Sequence, residues 1–310
     1  MNIFLRRTTS YYSFLLFFSL FFLASCNNTE TDSTEESDDK PFVTDSEEFE
    51  KNKTTLLTID GKIFSIPSPI QTAFLIKNVE EKYKKSILNN PQNQSKYNTK
   101  FRKAMNLGVY GADLGYVTLY DQTQDAIKYL QVIRKLANEL DISSAFDVTL
   151  VDKFERNLGN QDSILSMVSE AYRASDDYLK NNDRNDIGAL VLTGGFIESL
   201  YFSTKLAVES KNKKLIDRVG EQKNGLENLI KLLSPYYVAE NVEIVKLVDQ
   251  LIALEKLYEG IEINYTYNEP IVDINNKTTL ITSITSVEIE NEKLNNIFNK
   301  VKKIREDIIL

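Results

Sequence analysis

A mainly α fold, built helix after helix with one small β element near the C-terminus, is what the sequence predicts, and three observations predict it. Apolar residues recur at helical spacing through most of residues 70–260, as in Ile127, Leu130, Ile133, Leu136, Ala137 and Leu140. The junctions between these stretches hold Asn, Asp, Gly and Ser, which punctuate helices. Residues 261–290 alone change character, to β-branched residues and tyrosine. With 310 residues, 42% of them hydrophobic, there is material for a large core. The form expected is an antiparallel multi-helix bundle or array with a small β-hairpin near the C-terminus. A tetratricopeptide-like α-solenoid is the alternative, although no self-similarity at a fixed period supports it.

In chain order, residues 54–66 (TTLLTIDGKIFSI) place Asp60-Gly61 between two β-prone runs and predict a hairpin. Ser68 and Pro69 give an N-cap followed by proline at the first helical position, opening a helix over Gln71 to Leu88 that NNPQNQ then breaks. A second helix spans Asn98 to Tyr120. Asp121 and Gln124 form a capping-box pattern that opens a third, running to Leu140. Further helices are expected over Asp147–Leu158, Asp162–Lys180, Asp186–Ser210, Lys213–Leu233 and Ala239–Glu259. A hairpin turning near Asn275-Asn276 fills residues 261–290. In the final helix, residues 291–310, Leu294, Ile297, Phe298, Val301, Ile304 and Ile308 share one face.

The residues before this array are of another kind. Residues 1–25 read as a signal peptide: Arg6 and Arg7, then the uncharged run YYSFLLFFSLFF from Tyr11 to Phe22, then LASC ending at Cys26. The run is too short to span a bilayer comfortably. Ala24 and Ser25 before the cysteine resemble the lipobox of bacterial lipoproteins. The resemblance implies cleavage between Ser25 and Cys26, acylation of the Cys26 thiol by a palmitate-like chain, and acylation of the new amino terminus. Cys26 is the one cysteine in the chain, so it has no internal disulfide partner. Several acyl chains, each contributing about 0.8 kcal/mol per buried methylene, hold a protein on a membrane almost permanently.

Residues 26–53 are expected to be a lipidated acidic tether with too little apolar surface to order itself. Within them, residues 30–50 carry ten acidic residues and one lysine, a charge of −9, which leaves residues 51–310 nearly neutral, at −1. No basic stretch interleaved with aromatics occurs, so nucleic acid is not an expected partner. Acidic residues directly after a lipid-bearing cysteine also resemble the export signals that send some lipoproteins of Bacteroidota to the cell surface.

The stretch NLGVYGADLGY puts Gly108, Gly111 and Gly115 inside the second helix. At 100° per residue they fall, with Ala104 and Thr118, in a strip about 80° wide. The spacing matches neither the dinucleotide fingerprint nor the phosphate-binding loop, both of which need a strand-to-helix turn. Close approach of another helix is therefore expected, compensating the roughly 1 kcal/mol that each glycine costs in helix propensity. A candidate partner is the helix that holds Gly188, Ala189, Gly194 and Gly195.

On the other side of the glycine-bearing helix, Asp113, Tyr116 and Tyr120 lie within about 60° of one another. With Glu198 and Tyr201 they are the candidate polar pocket. The competing expectation is that the tyrosines are core or rim residues and that the acids cap or pair locally. There is no histidine, which removes Ser-His-Asp and Cys-His catalysis and the histidine-containing zinc sites. No catalytic residue, cofactor or metal is assigned. A pair of carboxylates remains as a route to hydrolysis of an envelope or extracellular glycan.

Taken together, LASC, the acidic tether, SIPSPIQTAFLIK, NLGVYGADLGY, YDQTQDAIKYL and NDIGALVLTGGFIESLY resemble a family of outer-membrane lipoproteins from Bacteroidota to which no activity is attached. From that resemblance only the lipobox residues carry over. The expectation is a lipid-anchored protein at the periplasmic face or cell surface. Its helical body would bind or scaffold a protein, a glycan or a small ligand, and the alternative is the carboxylate hydrolase.

Overall fold

The longest helix among the described residues is the axis of the fold. Helix α4, Asn185–Ser210, buries residues on every side, among them Leu190, Phe196, Ile197, Leu200, Phe202 and Leu206. A helix that is apolar all round belongs inside a protein or a membrane. By length and composition α4 is apolar enough to cross a membrane, with a mean hydropathy of 1.3, but 83% of that apolar window is buried in the body. Its hydroxyls bond their own backbone: Thr193 donates to the Ala189 carbonyl at 2.7 Å, Ser199 to Gly195 at 2.7 Å and Thr204 to Leu200 at 2.7 Å. Polar side chains thus sit in the core with their donors satisfied.

The computed structural model describes residues 54–59, 62–80, 82–143, 156–157, 167, 184–273, 278–280 and 282–310. All of them fall in one unit, Thr44–Leu310. The signal, Cys26, the tether to residue 53 and nearly all of the two helices expected over 147–180 lie outside the described residues.

Strands β1 (Thr54–Ile59) and β2 (Lys62–Pro67) pair antiparallel, with Ile59 opposite Lys62. Helix α1 is Pro69–Val79, with Ser68 as N-cap and proline at its start, but it stops nine residues before the expected Leu88. Glu80 and residues 82–90 form an irregular strap with one short 3-10 turn, Lys85–Ile87. A second 3-10 turn, Pro91–Lys96, replaces the expected break. Helix α2 is Lys100–Leu119, where the Thr99 hydroxyl accepts the Arg102 N–H at 3.1 Å. Helix α3 is Thr123–Glu139. The capping box at Asp121 does not form: Asp121 takes a left-handed φ of 55°, and Gln122 is the N-cap, without a side-chain cap. That left-handed residue makes the tight corner between α2 and α3.

Helices α5 (Lys213–Leu233) and α6 (Val242–Glu255) follow, and a 3-10 turn, Lys256–Tyr258, ends the stretch expected as one helix to Glu259. Then come β3 (Ile263–Thr266), β4 (Ile271–Asp273), β5 (Thr278–Leu280) and β6 (Ile284–Val287). They nest as β3 with β6 outside and β4 with β5 inside. Helix α7, Asn291–Ile309, closes the fold.

The fold is mainly α, as the periodicity predicts. Helices α1, α2, α5 and α7 all pack on α4. A solenoid stacks each unit against its sequence neighbours only, so the enclosed central helix makes this a bundle. The two innermost helices, α2 and α4, run in the same direction. Met105 lies at Gly194, Gly108 between Val191 and Gly195, and Tyr116 against Phe202, so beyond the crossing the contacts advance along both helices.

Candidate functional site

The parallel crossing of α2 and α4 depends on glycine. A Cβ at Gly108 would fall 1.8 Å from the Val191 carbonyl oxygen and 2.7 Å from the Gly195 nitrogen; one at Gly194 would fall 1.9 Å from the Met105 carbonyl oxygen. Backbone therefore touches backbone. The strip is shared between two neighbours: a Cβ at Gly115 would meet the tip of Ile70 in α1 at 2.9 Å. Gly111 is half-buried.

Close approach of these helices brings the ionisable side chains on their flanks together. Asp113 of α2 and Glu198 of α4 are both wholly buried. Arg305 of α7, also buried, donates Nε to Glu198 Oε2 and Nη2 to Oε1, each at 2.6 Å, and Nη2 also reaches the Ile87 carbonyl at 3.0 Å. Such a bidentate pair is the strong form of a carboxylate–guanidinium contact. The ring of Tyr201 lies 4.2 Å from the guanidinium and stacks on Phe298.

Asp113 takes the Asn89 N–H on Oδ2 at 3.3 Å, while its Oδ1 has no hydrogen-bond partner. Burial, and after it the charge of Glu198, holds the Asp113 carboxyl well above the usual carboxylate range, against the smaller opposing pull of Arg305. One arginine thus serves two carboxyls, and the cluster is neutral when Asp113 keeps its proton. The sign of the pH effect follows. The unfolded carboxyl loses its proton near pH 4, whereas the folded one holds it to higher pH, so between the two unfolding releases a proton and this group's contribution falls as pH rises above about 4. Asp113→Asn, a neutral isostere, is expected to hold or raise stability at pH 7 and to remove that part of the slope. Denaturant unfolding of both proteins from pH 4 to 8 checks it; a variant less stable than wild type at pH 7 by 2 kcal/mol or more would show Asp113 to be ionised.

The tyrosines explain the early end of α1. Tyr120 donates to the Glu80 carbonyl at 2.5 Å, Tyr129 to Asn89 at 2.9 Å and Tyr110 to Asn90 at 2.9 Å, while the Lys84 N–H donates to the Tyr116 hydroxyl at 3.1 Å. Hydroxyls from α2 and α3 thus satisfy the strap's backbone groups in place of helical bonds. Residues 80–88 follow helix-compatible composition, but the core takes Ile87 and Asn89 inward. Asn89 also donates to Tyr97 at 3.0 Å, and Asn106 donates to the Ile308 carbonyl at 2.9 Å.

Every residue of the candidate pocket therefore lies in or beside this cluster, but the cluster is packed. Asp113, Glu198 and Tyr201 gather around Arg305; Tyr83 stacks on Tyr116, and Tyr120 packs tilted against both. Glycosidase carboxyls flank a cleft that admits a sugar and water. Asp113 and Glu198 expose no surface to either. Among the described residues, a depression of about 90 Å³ lies elsewhere, between Phe101, Lys246, Gln250 and Asp307. That is well below the roughly 300 Å³ of a small-molecule site. Asp307 there is raised by burial, but hydrogen bonds from Lys303, Gln250 and Lys246 outweigh this and bring it to about 2. No group of three or more Asp, Glu or Cys that could hold a metal ion occurs among the described residues.

Arg305 escaped the sequence reading, yet it carried a signal. It follows Leu294, Phe298 and Val301 at i+11, i+7 and i+4, a charge inside an apolar stripe. No family model, no curated protein and no solved structure matches the chain, so what it does is read from its own residues.

Proposed function

We propose that the protein is a lipid-anchored outer-membrane lipoprotein, of the kind its sequence resembles, whose helical body is a rigid binding or scaffold module facing the periplasm or the cell surface. The observation that carries this is LASC at 23–26: small residues and the single cysteine directly after an apolar run, with an acidic segment behind them. Lipid gives that thiol a role in an oxidising compartment. The build of the body supports a module that is not a catalyst. Its buried carboxyls are spent on Arg305 and on the strap, where they fix packing and cannot meet a substrate.

Metabolic labelling with a fatty-acid probe tests the anchor. Wild type is expected to take up label and to fractionate with the outer membrane. Cys26→Ala is expected to lose the label and leave the membrane fraction, with the body's melting temperature unchanged. Absence of label on the wild type overturns the proposal.

A further inference from the structure

Strands β3 to β6, the described residues 263–273, 278–280 and 282–287, form an arm whose outer part is apolar and exposed. At the base, Val287 is buried against α5, where a Cβ on Gly220 would fall 2.3 Å from it. The Val287 N–H donates to Asp217 at 2.8 Å and its carbonyl accepts from Lys213 at 2.8 Å. Ile263 pairs with Val287 and packs on the core; by strand alternation Tyr265 continues the same face outward, and Tyr267 follows just beyond the end of β3. Pro270, which has no N–H, interrupts the ladder. Side chains bridge the gap there: Asn268 Nδ2 donates to the Thr282 carbonyl at 2.8 Å, and Thr282 donates to the Glu269 carbonyl at 2.9 Å. Beyond it β4 and β5 resume the pairing.

Among the described residues the arm packs on the helices chiefly through β6 and α5. Its outer part leaves Tyr265 64%, Tyr267 68%, Ile271 60% and Val272 60% exposed, half of the large apolar residues exposed on the described surface. A two-stranded ribbon is marginal alone in water, and apolar residues gathered on one projecting element mark a contact surface. The charge around them is one-sided: residues 261–290 carry Glu262, Glu269, Asp273, Glu288 and Glu290 against Lys277 alone. The lysines at the base are engaged with backbone, Lys213 as above, Lys223 on Ile261 and Lys293 on Glu259.

We propose that this arm docks on a partner protein whose apolar contact surface is bordered by lysine or arginine. The proposal rests on the binding-module reading and names the chemistry of what is bound. Charge selects among the possible occupants. Anionic headgroups, a second acidic arm and the chain's own acidic tether would all meet like charge, which disfavours contact, whereas a basic border is attracted and steered.

The test uses the full-length chain in its own membrane, with photoreactive benzoylphenylalanine in place of Tyr267 and, as control, of exposed Lys302. Irradiation is expected to give a protein adduct from position 267 and none from 302, and the attached peptide is expected to hold Lys or Arg beside apolar residues. In a Glu262→Lys/Glu269→Lys background the adduct is expected to fall at least fivefold with the melting temperature unchanged, since both glutamates are exposed. A lipid adduct alone, a dimer of this chain, an adduct indifferent to charge reversal, or no adduct overturns the proposal. Fatty-acid label on Cys26 is scored in the same cells. Label without adduct defeats docking alone, and adduct without label defeats the anchor alone.

Discussion

Arg305→Met is expected to destabilise the protein by about 3–5 kcal/mol, the usual cost of removing one partner from a buried ion pair. The guanidinium supplies both hydrogen bonds to Glu198 and one to the Ile87 carbonyl, and none of these acceptors can turn to water. Methionine fills much of the same volume, so the loss is one of charge pairing more than of packing. Equilibrium unfolding in urea measures it, and at roughly 2–4 °C per kcal/mol for a domain of this size the melting temperature falls by about 10 °C. Adding Glu198→Gln should recover part of the loss, since it removes the stranded charge. A single variant within about 1 kcal/mol of wild type would show that Glu198 is neutral or solvated and would sink the account of the cluster.

Gly108→Val is expected to be as severe or worse. Its first side-chain carbon already falls 1.8 Å from the Val191 carbonyl oxygen, and what it meets is backbone, which cannot rotate away as a side chain could. The helices α2 and α4 must separate, and the residues packed between them lose contact together. The ordinary cost of overpacking, about 1–3 kcal/mol, is then a lower bound. Gly111→Ala on the same helix is the control: half-buried, it should be near neutral or gain up to about 1 kcal/mol in helix propensity. Equal melting temperatures for the two variants would remove Gly108 from its place at the crossing.

Period was the legible part of this fold. The spacing in Ile127 to Leu140 and in Leu294 to Ile308 reports a buried face whatever lies opposite, and α3 and α7 form where it predicts. What lies opposite was not legible. The wheel put Gly108 and Gly115 in one strip, but a strip 80° wide can touch two helices, and here it touches α4 and α1. It likewise put Asp113 beside Tyr116 and Tyr120 without saying whether that side opens to water. The end of α1 was hidden for a related reason: local preference for helix across 80–88 is outweighed by hydroxyls that come from residues 110–129. Arg305 could have been suspected as a charge in an apolar stripe, though its partner could not have been named.

That partner lies 107 residues earlier in the chain, and this separation bears on the order of events when the protein folds. Helices α2 and α4 are likewise joined across about 85 residues of sequence. Contacts of such long range close late and fold slowly, because the entropy of the intervening loop must be lost before they form. A chain emerging residue by residue holds Glu198 without its countercharge until α7 arrives, so its core cannot close early on an incomplete bundle. Under the export proposed above, the chain would be threaded across a membrane before it folds, and such a delay would keep it translocation-competent.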